Sequence, residues 1–362
     1  MNKKRILITG ASGFIGHHFV EDVLKNTDWD IVAMVRGKTI GDLHRLIDSK
    51  VSASDGNRVT VVACDLRFGI NPTMDARIGH IDYVCHLAAN SHVDRSITHP
   101  VEFFEDNVMG TVNLLEWARL RNAPFAGAEV SKNGNSWVAK HKFDSTGHPH
   151  GPIEKFLNFN TDEVFGPAPA GYDFKEDDRM RPSNPYSGAK MGQWAAGYSY
   201  WVTFKLPVIS THMMNVFGER QNSEKLVPKT IKKLLAGEPM TIHCKLENGA
   251  ATEIGERHWL HARNAANATL FILQHGKPGE VYNIVGDDEL NNLELAQKVA
   301  NIMGKELTVE YQDFHSARPG HDRRYALDGS KLRNLGWVPP VSFEESLEKT
   351  VKWYMEHPEW LK

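Results

Sequence analysis

The chain has 362 residues, 42 Lys+Arg against 45 Asp+Glu, a formal net charge of −3, and 41% hydrophobic against 24% charged residues. That is enough apolar material for a large core, the charge balance gives no support for nucleic acid as a partner, and no run approaches the roughly 18 apolar residues of a membrane span. The basic start Met1–Arg5 leads into a short strand and glycines instead of the apolar run of a secretory signal. A cytoplasmic protein is expected, without nucleic acid or membrane partners. Cys64, Cys85 and Cys244 fit neither a metal spacing nor a disulfide framework, so three buried reduced thiols and no metal are expected.

Along the chain, the strand pattern Arg5–Thr9 runs into Gly10-Ala-Ser12-Gly13-Phe14-Ile15-Gly16 and a helical stretch, Gly16–Lys25. Glycines at that junction allow a tight turn and close backbone approach to a pyrophosphate, whose charge suits the helix N-terminus. The spacing is GxxGxxG, and its place after the first strand is what points to dinucleotide binding. A second strand, Asp30–Val35, ends in Arg36-Gly37-Lys38, with no carboxylate for a ribose 2′-hydroxyl. Arg36, helped by Lys38, suits a 2′-phosphate, so NADP is expected, with NAD as the alternative.

Further strand patterns are Val59–Cys64, then Asp65, and Tyr83–Leu87, then Ala88-Ala89-Asn90-Ser91. After a helix at Val108–Arg121, Ala126–Pro152 lacks clean periodicity and reads as a surface insertion. Phe156–Asn160 runs into Thr161-Asp162-Glu163, a helix covers Tyr186–Phe204, and Val208–His212 precedes Asn215. The alternation predicts an α/β fold, a doubly wound parallel sheet of Rossmann type, whose strand tails share one crevice. Beyond residue 215 come shorter helices, Val227–Leu235, Leu293–Met303 and Phe343–Met355, among Gly/Pro/Asp-rich turns. They suggest a smaller C-terminal α+β lobe: residues 1–205 form the dinucleotide-binding domain with the catalytic residues, and 206–362 mainly the substrate lobe. Ser342-Phe-Glu-Glu345 reads as a capping box ahead of the stripe Leu347, Val351 and Tyr354.

Tyr186 and Lys190 stand at i and i+4, on one face of a helix opened by Asn184 and Pro185. A lysine one turn away, with a nicotinamide's positive charge, favours a phenolate able to act as base. Asp162-Glu163 at a strand end is either a turn cap or an acid–base pair, and beside the Tyr/Lys pair the second reading is the better one. His92, His212 and His261 are read as structural or motif histidines.

Nearly end to end, the chain resembles an extended short-chain dehydrogenase/reductase and, within that superfamily, the dTDP-glucose 4,6-dehydratases. The resemblance rests on Gly10-x-x-Gly13-x-x-Gly16, Ala88-Ala-Asn-Ser-His-Val-Asp-Arg-Ser96, Asn107-Val-Met-Gly-Thr111, Thr161-Asp-Glu-Val-Phe-Gly166 and Tyr186-x-x-x-Lys190. It continues through Asn215-Val-Phe-Gly218, Glu224-Lys-Leu-Val-Pro228 and Arg318-Pro-Gly-His-Asp-Arg-Arg-Tyr325. It implies a nucleotide-sugar 4,6-dehydratase, a lyase with dTDP-glucose as first substrate and UDP-glucose next, packed as a homodimer. Tyr186 would take the 4-hydroxyl proton, Thr161 would bond that hydroxyl, and Lys190 would hold Tyr186 and the nicotinamide ribose. Glu163 would remove the C5 proton, and a protonated Asp162 would donate to the departing 6-hydroxyl. The cofactor contacts would be Gly10, Ser12, Gly13, Phe14, Ile15, Gly16, Arg36, Asp65, Leu66, Ala88, Ala89, Tyr186 and Lys190. The substrate contacts would be Ser91, His92, Asn215, Glu224, Lys225, Arg257, Arg318 and His321. The chain departs from the family at Asn90, Asn160 and Arg257-His258-Trp259, in the longer segment His243–Glu256 and in Ala126–Pro152. A 4-epimerase or decarboxylase would keep the Tyr/Lys pair but not Asp162-Glu163, and a non-catalytic dinucleotide-binding protein would have lost catalytic residues that are all present here.

Overall fold

In a computed structural model the described residues are 3–37, 43–48, 58–122, 125–133, 136–143, 150–248, 250–314 and 323–362. Lys38, Arg318 and His321 therefore lie outside them. The first half runs β1 (Arg5–Thr9), α1 (Phe14–Asn26), β2 (Asp30–Val35), α2 (His44–Asp48), β3 (Val59–Ala63), α3 (Pro72–Ile78) and β4 (Tyr83–His86). It continues through α4 (Val93–Thr98), α5 (Pro100–Phe104), a π-helical turn (Glu105–Met109) and α6 (Gly110–Asn122). Next come a hairpin of β5 (Phe125–Asn133) and β6 (Ser136–Phe143), then β7 (Lys155–Thr161), α7 (Pro185–Phe204) and β8 (Val208–Met213).

Why the strands lie in the middle is legible in β1. Ile6 and Ile8 pack on one face of the sheet with Phe19, Val20 and Val23 of α1, while Leu7 points the other way, onto Leu114, Leu115 and Ala118 of α6. The two-residue period puts apolar side chains on both faces, as a parallel sheet covered by helices requires. β2 repeats the pattern, with Ile31, Ala33 and Val35 on the first face and Val32 and Met34 on the second. Seven parallel strands result, in the order β13-β8-β7-β4-β1-β2-β3, where β13 is Val281–Ile284. The order reverses between β1 and β4, and ligands bind at such a switch, outside the carboxyl ends of the strands.

The later segments are β9 (Asn215–Phe217), α8 (Leu226–Ala236), β10 (Met240–Glu247), β11 (Ala250–Ile254), β12 (Glu256–His261), α9 (Ala262–His275), β14 (Asp288–Asn291), α10 (Asn292–Met303), β15 (Val309–Asp313) and β16 (Arg324–Tyr325). β12 pairs with β9 and β16 in parallel and with β14 antiparallel, and β10 lies between β11 and β15. The smaller α+β part is thus built as expected. Two strands of the large sheet, β8 and β13, nevertheless come from after residue 205, so that line does not separate two sheets. The stretch around Ala126–Pro152, read as a surface insertion without clean periodicity, holds the antiparallel hairpin β5–β6. The three cysteines are buried and free. Ser342 accepts from the Glu345 amide at 3.3 Å, opening a final helix, Phe343–Glu356, that buries Leu347, Val351 and Tyr354. Among the described residues, no helix is long and apolar enough to cross a membrane.

Candidate active site

β1 delivers the chain to Gly10 at φ +66°, where a Cβ would stand 2.7 Å from the Ala88 amide nitrogen. At Gly16 a Cβ would come within 2.1 Å of the Gly10 carbonyl oxygen, so α1 packs against the turn only with glycine there. Gly13 is the N-cap of α1 and no side chain caps that end. The first-turn amides of α1 thus lack a side-chain cap, above a backbone that any side chain would obstruct. That is a cradle of the right kind for the pyrophosphate of a dinucleotide. Gly10, Gly13, Phe14, Ile15, Gly16 and Ala89 line one end of a cleft of about 660 Å³. Ser12 lies in the turn itself. Ala88, Arg36, Asp65 and Leu66 are not on the lining, and the Ala88 amide donates to Thr9 Oγ1 at 3.2 Å.

Arg36 calls for a correction. Its guanidinium is engaged by carboxylates: Nη1 and Nη2 donate to the two oxygens of Asp106 at 3.0 and 2.5 Å, and Nε to Asp65 at 3.3 Å. Arg67 also bonds Asp65, at 2.7 Å, and lies 3.5 Å from Asp106. The charge expected to hold a 2′-phosphate is already paired, which removes the basis of the NADP preference.

At the other end of the cleft, Thr161, Asp162, Glu163, Tyr186 and Lys190 come together from the end of β7 and the start of α7. Asn184 caps α7 through a capping box with Ser187, and its side-chain amide also donates to Glu163 at 3.3 Å. Thr161 Oγ1 donates to Asp162 Oδ1 at 2.9 Å, while Asp162 Oδ2 is buried without a hydrogen-bond partner among the described residues. Burial, reinforced by the charge of Glu163, raises Asp162 to about 7. With Oδ1 accepting from Thr161, the proton of the neutral acid belongs on Oδ2. Tyr186 is pushed well up by burial and then by the Glu163 charge, against a hydrogen bond with Thr161 that acts the other way. The protein's own groups therefore favour the phenol, so the phenolate expected from Lys190 and a nicotinamide's charge together does not follow from Lys190 by itself.

Lys190 is lowered to about 7 by burial. Its Nζ donates to the Phe159 carbonyl at 2.7 Å and to Gln193 Oε1 at 2.6 Å. Gln193 Nε2 in turn donates to Asn158 Oδ1 at 2.9 Å, and Asn160 Nδ2 donates to the Lys190 carbonyl at 3.0 Å. Asn158, Asn160 and Gln193, all buried, thus moor the lysine to β7. Gln193 escaped the sequence reading although it stands at i+3 from Lys190, a spacing that puts it on the same face.

Among the expected substrate contacts, Ser91, His92, Asn215, Glu224, Lys225 and Arg257 all line the cleft. His92 Nε2 lies 2.9 Å from Glu224 Oε1, joining the cleft's two walls. β12 sets Arg257 opposite Tyr325 of β16, two residues before Trp259, the partner of Asn215 on β9; the guanidinium is buried, donates to the Arg323 carbonyl at 2.8 Å and lies over the Tyr325 ring at 4.3 Å. His212 is buried, lowered to about 4 by burial, and bonded to Asn283 at 3.2 Å. His261 faces the buried Glu219 at 3.2 Å. Neither lines the cleft. Among the described residues no cluster of His, Cys, Asp and Glu is arranged to hold a metal.

A family profile described as GDP-mannose 4,6 dehydratase matches residues 7–350. The chain belongs to this family of nucleotide-sugar 4,6-dehydratases. It is 33% identical over 372 residues to the dTDP-glucose 4,6-dehydratase of Salmonella typhimurium, an alignment covering 99% of this chain and 94% of the relative. The solved dTDP-glucose 4,6-dehydratase of Streptomyces venezuelae, with NAD bound, superposes with a TM-score of 0.79 at 30% identity, covering 99% of each chain. A UDP-glucose 4-epimerase of Thermus thermophilus, complexed with NAD, reaches 0.77 at 25% identity, covering 97% of this chain and 99% of the epimerase. The Rossmann-type fold and the dehydratase family expected from the sequence therefore stand, as does membership of the lyases. Because an epimerase superposes almost as well, backbone shape does not choose the reaction.

Proposed function

We propose that the chain converts a nucleoside diphosphate hexose, dTDP-glucose foremost, to its 4-keto-6-deoxy derivative. The observation that carries this is Asp162: a buried acid raised to about 7, its Oδ2 without a hydrogen-bond partner among the described residues, in the same cleft as Glu163 and Tyr186. An epimerase has no use for a neutral acid beside a second carboxyl group, whereas loss of water across C5 and C6 needs both.

A nicotinamide dinucleotide, when bound, supplies the acceptor and later the donor of hydride. Tyr186 takes the proton of the 4-hydroxyl, which Thr161 holds by hydrogen bond as C4 is oxidised. Lys190, a cation one turn from Tyr186, lowers the cost of the phenolate in this dry setting. The 4-keto group acidifies the C5 hydrogen, and Glu163 removes it. Asp162 gives its Oδ2 proton to the departing 6-hydroxyl, which leaves as water. Glu163 returns its proton to C5 as C6 is reduced, and the proton held by Tyr186 makes good the one lost from Asp162. C4 ends oxidised and C6 reduced, with no net redox change. Asn215, Glu224, Lys225 and Arg257 bind the diphosphate and sugar, the last with a guanidinium suited to bidentate phosphate contact. Residues 1–205 carry the cofactor and catalytic groups, and 206–362 mainly the substrate side.

For the cofactor we read NAD, because Arg36 is paired and the Streptomyces dehydratase was solved with NAD bound. A homodimer is supported by exposed apolar side chains on adjoining helices: Val101 and Phe104 of α5, Met109 just before α6, and Tyr198 and Val202 of α7. Incubation with dTDP-glucose, UDP-glucose and GDP-mannose, followed by detection of 4-keto sugars, tests the proposal. The highest kcat/KM is expected with dTDP-glucose. A returned epimer, or no keto product from any of the three, would reject it.

A further inference from the structure

The cofactor site carries a carboxylate from an element that does not normally supply one. β2 ends in Val35 with no acid after it, and Arg36 follows directly. Seventy residues on, the chain between α5 and α6 widens into the π-helical turn Glu105–Met109. Such turns tend to mark functional sites, since one extra residue redirects a side chain. Here the turn holds Asp106, whose two oxygens accept Nη1 and Nη2 of Arg36 in a bidentate pair. The Asp106 side chain is only 10% exposed, and Arg67 at 3.5 Å and Asn90 at 3.5 Å flank the same carboxylate. On the far side, Asp65 accepts from Nε of Arg36 and from Nε and Nη2 of Arg67. Two arginines and two aspartates therefore form one neutral cluster beside the end of β2, where a dinucleotide's adenosine ribose lies.

We propose that Asp106 sets the choice between NAD and NADP, by occupying the guanidinium of Arg36 and presenting a negative charge where a 2′-phosphate would go. The inference rests on the dinucleotide reading above and identifies the residue that makes the selection. A bidentate guanidinium–carboxylate pair uses the same fork that would grip a phosphate, so the two anions compete for one partner. To admit a 2′-phosphate, Arg36 must give up Asp106, leaving that carboxylate beside a like charge. A 2′-hydroxyl makes no such demand. The acidic function usually found at the tip of β2 is thereby carried by another element, with an arginine between it and the strand.

Isothermal titration of the purified full chain with NAD and with NADP tests this, using binding as the readout. Asp106→Asn keeps the shape and removes the charge. It should improve NADP binding relative to NAD by about tenfold or more, the scale of a freed charge-assisted hydrogen bond. Asp106→Glu should keep the wild-type preference, and the double variant Arg36→Ala with Asp106→Asn should lose the gain. Asp106→Ser serves in its place if the asparagine variant does not fold. An NADP-to-NAD affinity ratio unchanged within about twofold in both Asp106→Asn and Asp106→Ser would overturn the proposal. So would a gain that persists without Arg36. If the wild type binds NADP the more tightly, the NAD reading falls, while the shift on removing the Asp106 charge still decides the role assigned here.

Discussion

The catalytic end of the cleft and the charged cluster beside the end of β2, off the cleft lining, handle charge in opposite ways. Around Asp162, Tyr186 and Lys190 the ionisable groups are almost fully buried, and burial is the largest cause of each one's shift. Around Arg36, Asp65 and Asp106 the side chains are partly exposed and paired with one another, and hydrogen-bonded ion pairs hold Arg36 up and Asp65 down. A dry site makes protons easy to move, because the neutral and charged forms of its groups are brought close in energy. A wet, paired site keeps its charges and discriminates by which partner it accepts. The first arrangement suits proton transfer; the second is the one proposed above to select the cofactor.

Removing one proton carrier at the dry end should have the largest effect. Glu163→Gln should lower kcat about a thousandfold, and Asp162→Asn about a hundredfold, the range of lost general acid–base catalysis. The two should differ in kind: in single turnovers the Asp162 variant still oxidises C4, seen as reduced nicotinamide, while water release slows. Equal loss of both steps would break the division of labour. The glycine cradle should fail to a methyl group instead of to a charge. Gly16→Ala drives a Cβ into the Gly10 carbonyl and should weaken dinucleotide binding about tenfold or more by titration, an overlap of that kind costing about 1–3 kcal/mol.

Smaller effects sharpen the contrast. Gln193 accepts from Lys190 and so favours its charged form. Gln193→Leu should move the Lys190 limb of the pH–rate profile below about 7, and Gln193→Glu should move it above. A loss of stability with no movement of that limb would make Gln193 a packing residue only. The last effect is on stability, not on rate. A carboxyl raised to about 7 when folded binds a proton that the unfolded chain releases near 4, so stability falls as pH rises between those values. The full penalty, up to about 4 kcal/mol, applies above pH 7. Asp162→Asn should therefore raise the melting temperature, by more at pH 8 than at pH 5. A pH-independent difference would show that Asp162 is not held neutral.

Much of this was open to reading in advance. The two-residue period of β1 and β2, the glycine turn and the i, i+4 pair of Tyr186 and Lys190 are local patterns, and local patterns constrain backbone and face directly. Strand ends fell within a residue or two of their expected places, and the tails after β1, β4 and β7 meet in one cleft as parallel-sheet topology demands. Arg36 misled because its pattern is local and its partner is not: Asp106 lies 70 residues away, on a turn whose π-helical register no periodicity announces. The hairpin β5–β6 was missed for a related reason, its period being too irregular to stand out before the strands are paired.

What the sequence determined by itself was the sheet, the glycine turn after β1 and the placing of Tyr186 and Lys190 on one helix face, because each follows from spacing along one element. What only the tertiary structure decided was the state of those groups. Asp162 is raised to about 7 because the core surrounds it, Lys190 is moored by Gln193 and Phe159, and Arg36 is held by a carboxylate from another helix. Charge and solvation depend on neighbours in space, and those are set only once the chain has folded.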